Sequence, residues 1–193
     1  MQKFCKAVRV ATVAPFMAAA LCLWLYVSDS SVITRGQDLA AAMLCLSVLP
    51  LLSYPIQPLI PYFRDLGRKG QRDLAMVFCA AGYALGLAYS FLAHAGRGMQ
   101  GLFLTYFLSG GLMLLINGVF HVKASGHACG VAGPCTFLFA VIGMSALWVL
   151  PVYLISGACS VCMKRHTFRE WLLGSLISPA ALGLAYLILG SFA

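Results

Sequence analysis

From Ala7 to Val27 the chain carries one charge, Arg9, and comparably long runs almost free of charge recur to its end. This pattern constrains the fold more than any other feature. A bilayer core about 30 Å thick takes roughly 20 apolar residues per helical crossing. Inside it, each backbone N–H and C=O must find a partner within the protein, which a helix provides. A soluble all-α core built from so many runs would expose too much apolar surface. Only 9% of the residues are charged, against about 25% in a soluble domain. The chain therefore reads as a single integral membrane domain over 1–193, an all-α polytopic transmembrane helical bundle.

Polar punctuation divides it into helices at about 7–28, 38–61, 73–95, 100–122, 127–143, 146–162 and 167–192. That is about seven spans, with six also possible because the fifth and sixth are the shortest. The basic start "MQKFCKAVRV" has the charge of a signal peptide. The apolar run behind it is too long for one and further spans follow, so it reads as the first helix.

The formal net charge is +8. In a membrane chain this is a topology signal. No basic stretch is interleaved with aromatics in a soluble module, so nucleic acid is not an expected partner. With seven alternating spans, one face holds Lys3, Lys6, Arg9, Arg64, Arg68, Lys69, Arg72, Lys123, Lys164, Arg165 and Arg169. The other holds only Arg35 and Arg97. Eleven against two places the first face in the cytoplasm of a prokaryotic cell.

Three polar clusters fall on that face: "FRDLGRKGQRDL", "KASGH" and "RHTFRE". Ionisable groups at membrane depth are costly and usually functional. His166 and Glu170 are four apart, hence on one face of a helix. A carboxylate behind an imidazole fixes its tautomer and makes the other ring nitrogen a better nucleophile. The same pair also fits an ordinary helix-end salt bridge. Ser125, Gly126 and His127 open the fifth helix, where unpaired N–H groups and the positive dipole end suit a phosphate. Ser125 also fits a plain N-cap. Asn117 and His121, four apart on the fourth helix, are placed to hydrogen-bond each other or to line a cavity.

The eight cysteines lie mostly in apolar runs and behave there as small hydrophobes rather than as a disulfide framework. "CSVC", Cys159 to Cys162, leaves open a redox pair, or a zinc site with His166 and His127 if the helices converge.

"KASGHACGVAGP" followed by "RHTFREWLLG" resembles the type 2 phosphatidic acid phosphatase family of membrane lipid phosphatases. The resemblance covers the chain from Lys123 onward; the front half matches only in layout. It implies that His166 is the nucleophile and forms a phosphohistidine. Glu170, in the place of a more usual Asp, orients it, and His127 protonates the leaving alcohol. Ser125 and Gly126 would form the phosphate-binding turn. Arg72 is the best match for the first-motif arginine, with Arg64, Arg68 or Lys69 as alternatives, and Lys123 is a further cation within reach. No metal or other cofactor is implied, and the partner is a lipid phosphate substrate. The family's third motif has an arginine six residues before the histidine, where this chain has Ser160. Lys164 or Arg165 is then the substitute, though lysine lacks the bidentate fork. The expected function is hydrolysis of a lipid phosphate monoester or pyrophosphate, such as a prenyl phosphate, phosphatidate or phosphatidylglycerophosphate. The alternative is an impaired relative that binds or transports a lipid phosphate.

Overall fold

The computed structural model describes residues 2–28 and 30–191; Phe192, the end of the expected last helix, lies outside it. Among the described residues the architecture is helical throughout. In chain order the helices are α1 (Gln2–Ala11), α2 (Ala14–Val27), α3 (Gly36–Met43), α4 (Leu49–Ile56), α5 (Pro61–Asp65), α6 (Gly67–Leu92), α7 (Arg97–Leu114), α8 (Gly126–Ile142), α9 (Leu150–Cys162) and α10 (Phe168–Leu189). A π-helical turn, Leu44–Val48, joins α3 to α4, and another, Leu115–Val119, extends α7.

Among the described residues five helical stretches are long and apolar enough to cross a membrane, or six if the bent pair α1–α2 is one span. This does not confirm the expected count of about seven; its upper value is the alternative of six. The segments expected at 127–143 and 146–162 run together, through the 3₁₀ turn Gly143–Val149, as one apolar stretch, Gly126–Cys162. That stretch is not straight. A straight helix would part residues 127 and 156 by about 44 Å, yet His127 Nε2 and Ser156 Oγ are 3.2 Å apart. The chain reverses at Gly143, whose φ of 58° is cheap only for glycine. Both ends of the stretch thus lie at the same end of the bundle.

The break between α1 and α2 also has a local cause. Pro15 has no N–H, and its ring clashes with a helical carbonyl four residues back. Val13 takes an extended conformation, and α2 restarts at an angle of 54° with the proline in its first turn.

Apolar side chains such as Leu92 and Leu187, 81% and 83% exposed, face outward, as lipid contact requires. Inside, α10 packs against α7 and α8. Its approach to α8 depends on Gly174, where a Cβ would stand 2.2 Å from the Ser125 carbonyl oxygen. Small residues allow such close helix contacts in membranes. The α6–α7 pair is antiparallel: Gly86 lies against Phe103, and Tyr83 against Gly110. The start of α6 is therefore at the same end as the loop before α8.

Candidate active site

The site is organised by the start of α10. Thr167 Oγ1 accepts the Glu170 N–H, and Glu170 Oε2 accepts the Thr167 N–H, each at 3.2 Å. This reciprocal capping box satisfies two orphan helix donors. The same carboxylate does more than cap. Oε2 accepts from His166 Nδ1 at 3.1 Å, and Oε1 meets Lys123 Nζ at 2.9 Å. The Glu170 carbonyl accepts the Ser125 N–H at 2.9 Å. One residue therefore ties the start of α10 to the loop before α8 and fixes the His166 ring. A carboxylate only accepts, so the proton lies on Nδ1 and neutral His166 has its lone pair on Nε2.

A cavity of about 290 Å³ opens beside this pair, lined by Lys123, Val161, Lys164, Arg165, His166, Thr167 and Glu170. Burial pushes the His166 imidazole below its ordinary value; the Glu170 carboxylate pulls it back up, and the Arg9 and Lys123 charges push it down again. It is therefore lowered on balance, which favours the neutral ring. Lys164, where α9 ends, has φ 52°. Glycine is the usual residue in this left-handed position, and a lysine there carries backbone strain.

The expected convergence is met only in part. His166, Glu170, Lys123 and Arg165 share the cavity. Arg72 does not: it lies on α6, which packs on α7 and α4, and among the described residues its exposed guanidinium meets Asp73, at 3.7 Å. The helix chosen for the first-motif arginine reaches the right end of the bundle but not the cavity. Ser125 is fully buried, and its hydroxyl accepts the Ala128 N–H at 3.2 Å, so its side chain serves as the N-cap of α8. Gly126 begins α8 facing open space. Asn117 pairs not with His121 but with the loop: its Oδ1 accepts the Ala124 N–H at 2.7 Å, fixing the segment that carries Lys123.

His127 stands behind the cavity rather than in its lining. Its Nε2 lies 3.3 Å from Thr12 Oγ1 and 3.2 Å from Ser156 Oγ, which are 3.0 Å from each other. Thr12 gives its own proton to the Val8 carbonyl. All three groups are satisfied when His127 Nε2–H donates to the hydroxyls and Ser156 donates to Thr12. The buried Trp171 ring lies 5.9 Å from the imidazole.

Arg9 is the group that reading the sequence missed. It lies on α1, which packs along α9, and its Nη1 donates to Ser160 Oγ at 2.8 Å. Its only sequence signal was a charge inside the first apolar run. Among the described residues no three His, Cys, Asp or Glu side chains gather as a metal site would need. Cys159 is a free thiol buried beside the free thiol of Cys5 on α1, while Cys162 is exposed. No family model, curated protein or solved structure matches the chain.

Proposed function

We propose that this protein is a membrane phosphatase that hydrolyses a lipid phosphate monoester or pyrophosphate through a phosphohistidine. One observation carries the reading: a carboxylate-held histidine with its free ring nitrogen unprotonated, on a cavity rimmed by Lys123, Lys164 and Arg165 at one end of an apolar bundle. Phosphoryl transfer asks mainly for positioning and charge stabilisation. The cations hold the phosphate oxygens, and the lipid tail lies among the helices. His166 Nε2 attacks phosphorus, and the P–O bond to the lipid breaks as the P–N bond forms. His127, doubly protonated once the phosphate anion is bound, gives its Nε2 proton to the departing oxygen, which takes the place of the Thr12 and Ser156 hydroxyls as acceptor, and is left as a neutral imidazole. Water then attacks the phosphohistidine, gives a proton back to His127, and releases phosphate, returning both histidines to their starting forms.

Release of phosphate from a panel of lipid phosphates by purified protein, compared with His166→Ala, tests the reading. Loss of a nucleophile lowers turnover by at least about 10⁴-fold. Turnover unchanged in that variant removes His166 as nucleophile. A second reading, a binder or transporter of lipid phosphate, is favoured by the engagement of His127 Nε2 with two hydroxyls, the habit of a structural histidine. Phosphate binding without release of product is its signature.

The cavity is proposed to face the cytoplasm. The fold-back of α8 and α9 keeps the parity on which the charge count depends, and discarding Arg9, Lys123, Lys164 and Arg165 from the eleven leaves seven cations against two. Cys162 is exposed at this end. In a variant retaining it as the single cysteine, an impermeant thiol reagent is expected to label it only after intact cells are permeabilised. Labelling without permeabilisation reverses the orientation.

A further inference from the structure

Arg9 is a half-buried guanidinium without a countercharge. Among the described residues no acidic side chain lies within ion-pair distance of it. Its side-chain partner among the described residues is the neutral, fully buried Ser160. Its surroundings make the imbalance worse, because the charge of Arg165 bears on it and Lys123 and Lys164 line the adjoining cavity. The one carboxylate of the site, Glu170, is already engaged by Lys123 and His166. Half-buried like charges held together cost free energy unless an anion joins them. A guanidinium also keeps donors to spare here, since one of its five N–H groups accounts for the Ser160 contact.

The position is held firmly. Thr12, at the end of α1, is tied to Ser156 and His127. Cys5, earlier on α1, is buried against Cys159. Those contacts run antiparallel along α9 and leave Arg9 opposite residue 160. Ser160 is six residues before His166, so Arg9 brings its charge to a point on α9 from which the cavity residues Arg165 and His166 follow within two turns. The Arg165 N–H bonds to the Ser160 carbonyl at 3.1 Å, folding the end of α9 back onto that residue.

We infer that Arg9, delivered by the first helix, is the guanidinium that grips the phosphate group in this cavity, and that Ser160 positions it. The assignment rests on the phosphate chemistry proposed above but not on hydrolysis. A planar fork matches two phosphate oxygens at once, which a lysine ammonium does not. Nothing in the α9 sequence supplies that fork at position 160, and a side chain far away in sequence replaces it.

The test measures binding of inorganic phosphate to the full-length protein in detergent at low ionic strength, by titration calorimetry, alongside turnover of a lipid phosphate. Arg9→Ala is expected to weaken phosphate binding at least tenfold and to lower turnover about 10²–10³-fold, the usual loss for one transition-state donor. The double variant Arg9→Ala with Ser160→Arg returns the guanidinium from α9 and is expected to recover most of both. If Arg9→Ala does not fold, Arg9→Lys keeps charge and stem, and its binding is expected to fall about tenfold for want of the fork. The assignment is overturned if wild-type protein does not bind phosphate. It is overturned if the variant that folds, alanine or lysine, binds it within twofold of wild type. It is overturned too if the double variant recovers nothing, which marks Arg9 as an anchor for α1. Wild-type protein that binds phosphate through Arg9 but hydrolyses no lipid breaks the hydrolytic reading and leaves this assignment standing.

Discussion

The two ends of the bundle treat charge in opposite ways. At the end away from the cavity, Asp38 is only 1% exposed, and all its demands are met nearby. Arg35 reaches it with a fork, Nε to Oδ2 at 2.8 Å and Nη2 to Oδ1 at 2.9 Å, and the Tyr89 hydroxyl donates to Oδ1 at 2.9 Å. Arg97 at the same end caps the last turn of α10 by donating to the Leu189 carbonyl at 2.9 Å. Around the cavity, Lys123, Lys164 and Arg165 share one lining carboxylate, Glu170, and among the described residues Arg9 beside them has no acidic side chain within ion-pair distance. Closed charges fix helices, since a bundle has little reason to leave half-buried ions unmatched. A cluster left open by several positive charges fits a ligand that brings the negative ones.

That contrast is open to attack at either end. The largest effect is expected at the cavity. Glu170→Gln removes the carboxylate that orients His166 and lowers turnover about 10²-fold or more. It also moves the acid limb of the pH–rate profile. His166 must be neutral to attack, so activity falls as the pH drops through its value, already depressed by burial. Glu170 raises that value, so its loss shifts the acid limb to lower pH. Lys123→Met removes a cation that lowers it, so the limb shifts to higher pH. Shifts in the same direction in both variants contradict the electrostatic picture.

A smaller effect is expected at the closed end. Tyr89→Phe deletes one hydrogen bond to the Asp38 carboxylate and costs about 2 kcal/mol of stability, measured by reversible denaturation in detergent. Turnover per folded molecule is expected to stay within twofold. A change in turnover larger than that joins the two ends functionally and ends the comparison.

The smallest effect is at Lys164. Its φ of 52° suits glycine, so Lys164→Gly is expected to stabilise the protein by about 1 kcal/mol while weakening phosphate binding a few fold. Stabilisation without weakened binding places that lysine among the solvated charges.

Much of the cavity was legible from short-range spacing. The His166–Glu170 pair is a four-residue interval on helical geometry, and the capping role of Ser125 follows from its place before an apolar run. Both depend on neighbours in the chain, where the backbone fixes distance. Arg72 was legible only as a charge at the correct end. Which side of α6 faces the cavity is decided by how α6 rests on α7, and no local pattern records that. The Thr12–His127 contact joins residues 115 apart, and Arg9–Ser160 joins residues 151 apart. Such pairs arise from packing, after each helix already exists.

The sequence by itself determined that this chain is a helical membrane bundle, because long uncharged runs leave the backbone no other partner than itself. It also determined that two histidine-bearing segments would sit where helices begin. Tertiary structure alone decided that residues 126–162 double back, that His127 turns its Nε2 to two hydroxyls, and that a guanidinium from α1 stands opposite Ser160. Each of these depends on the angle and depth at which helices meet. Those are set by summed side-chain contacts across the bundle, such as Gly174 on Ser125 and Gly157 on Trp171, and not by any one stretch of residues.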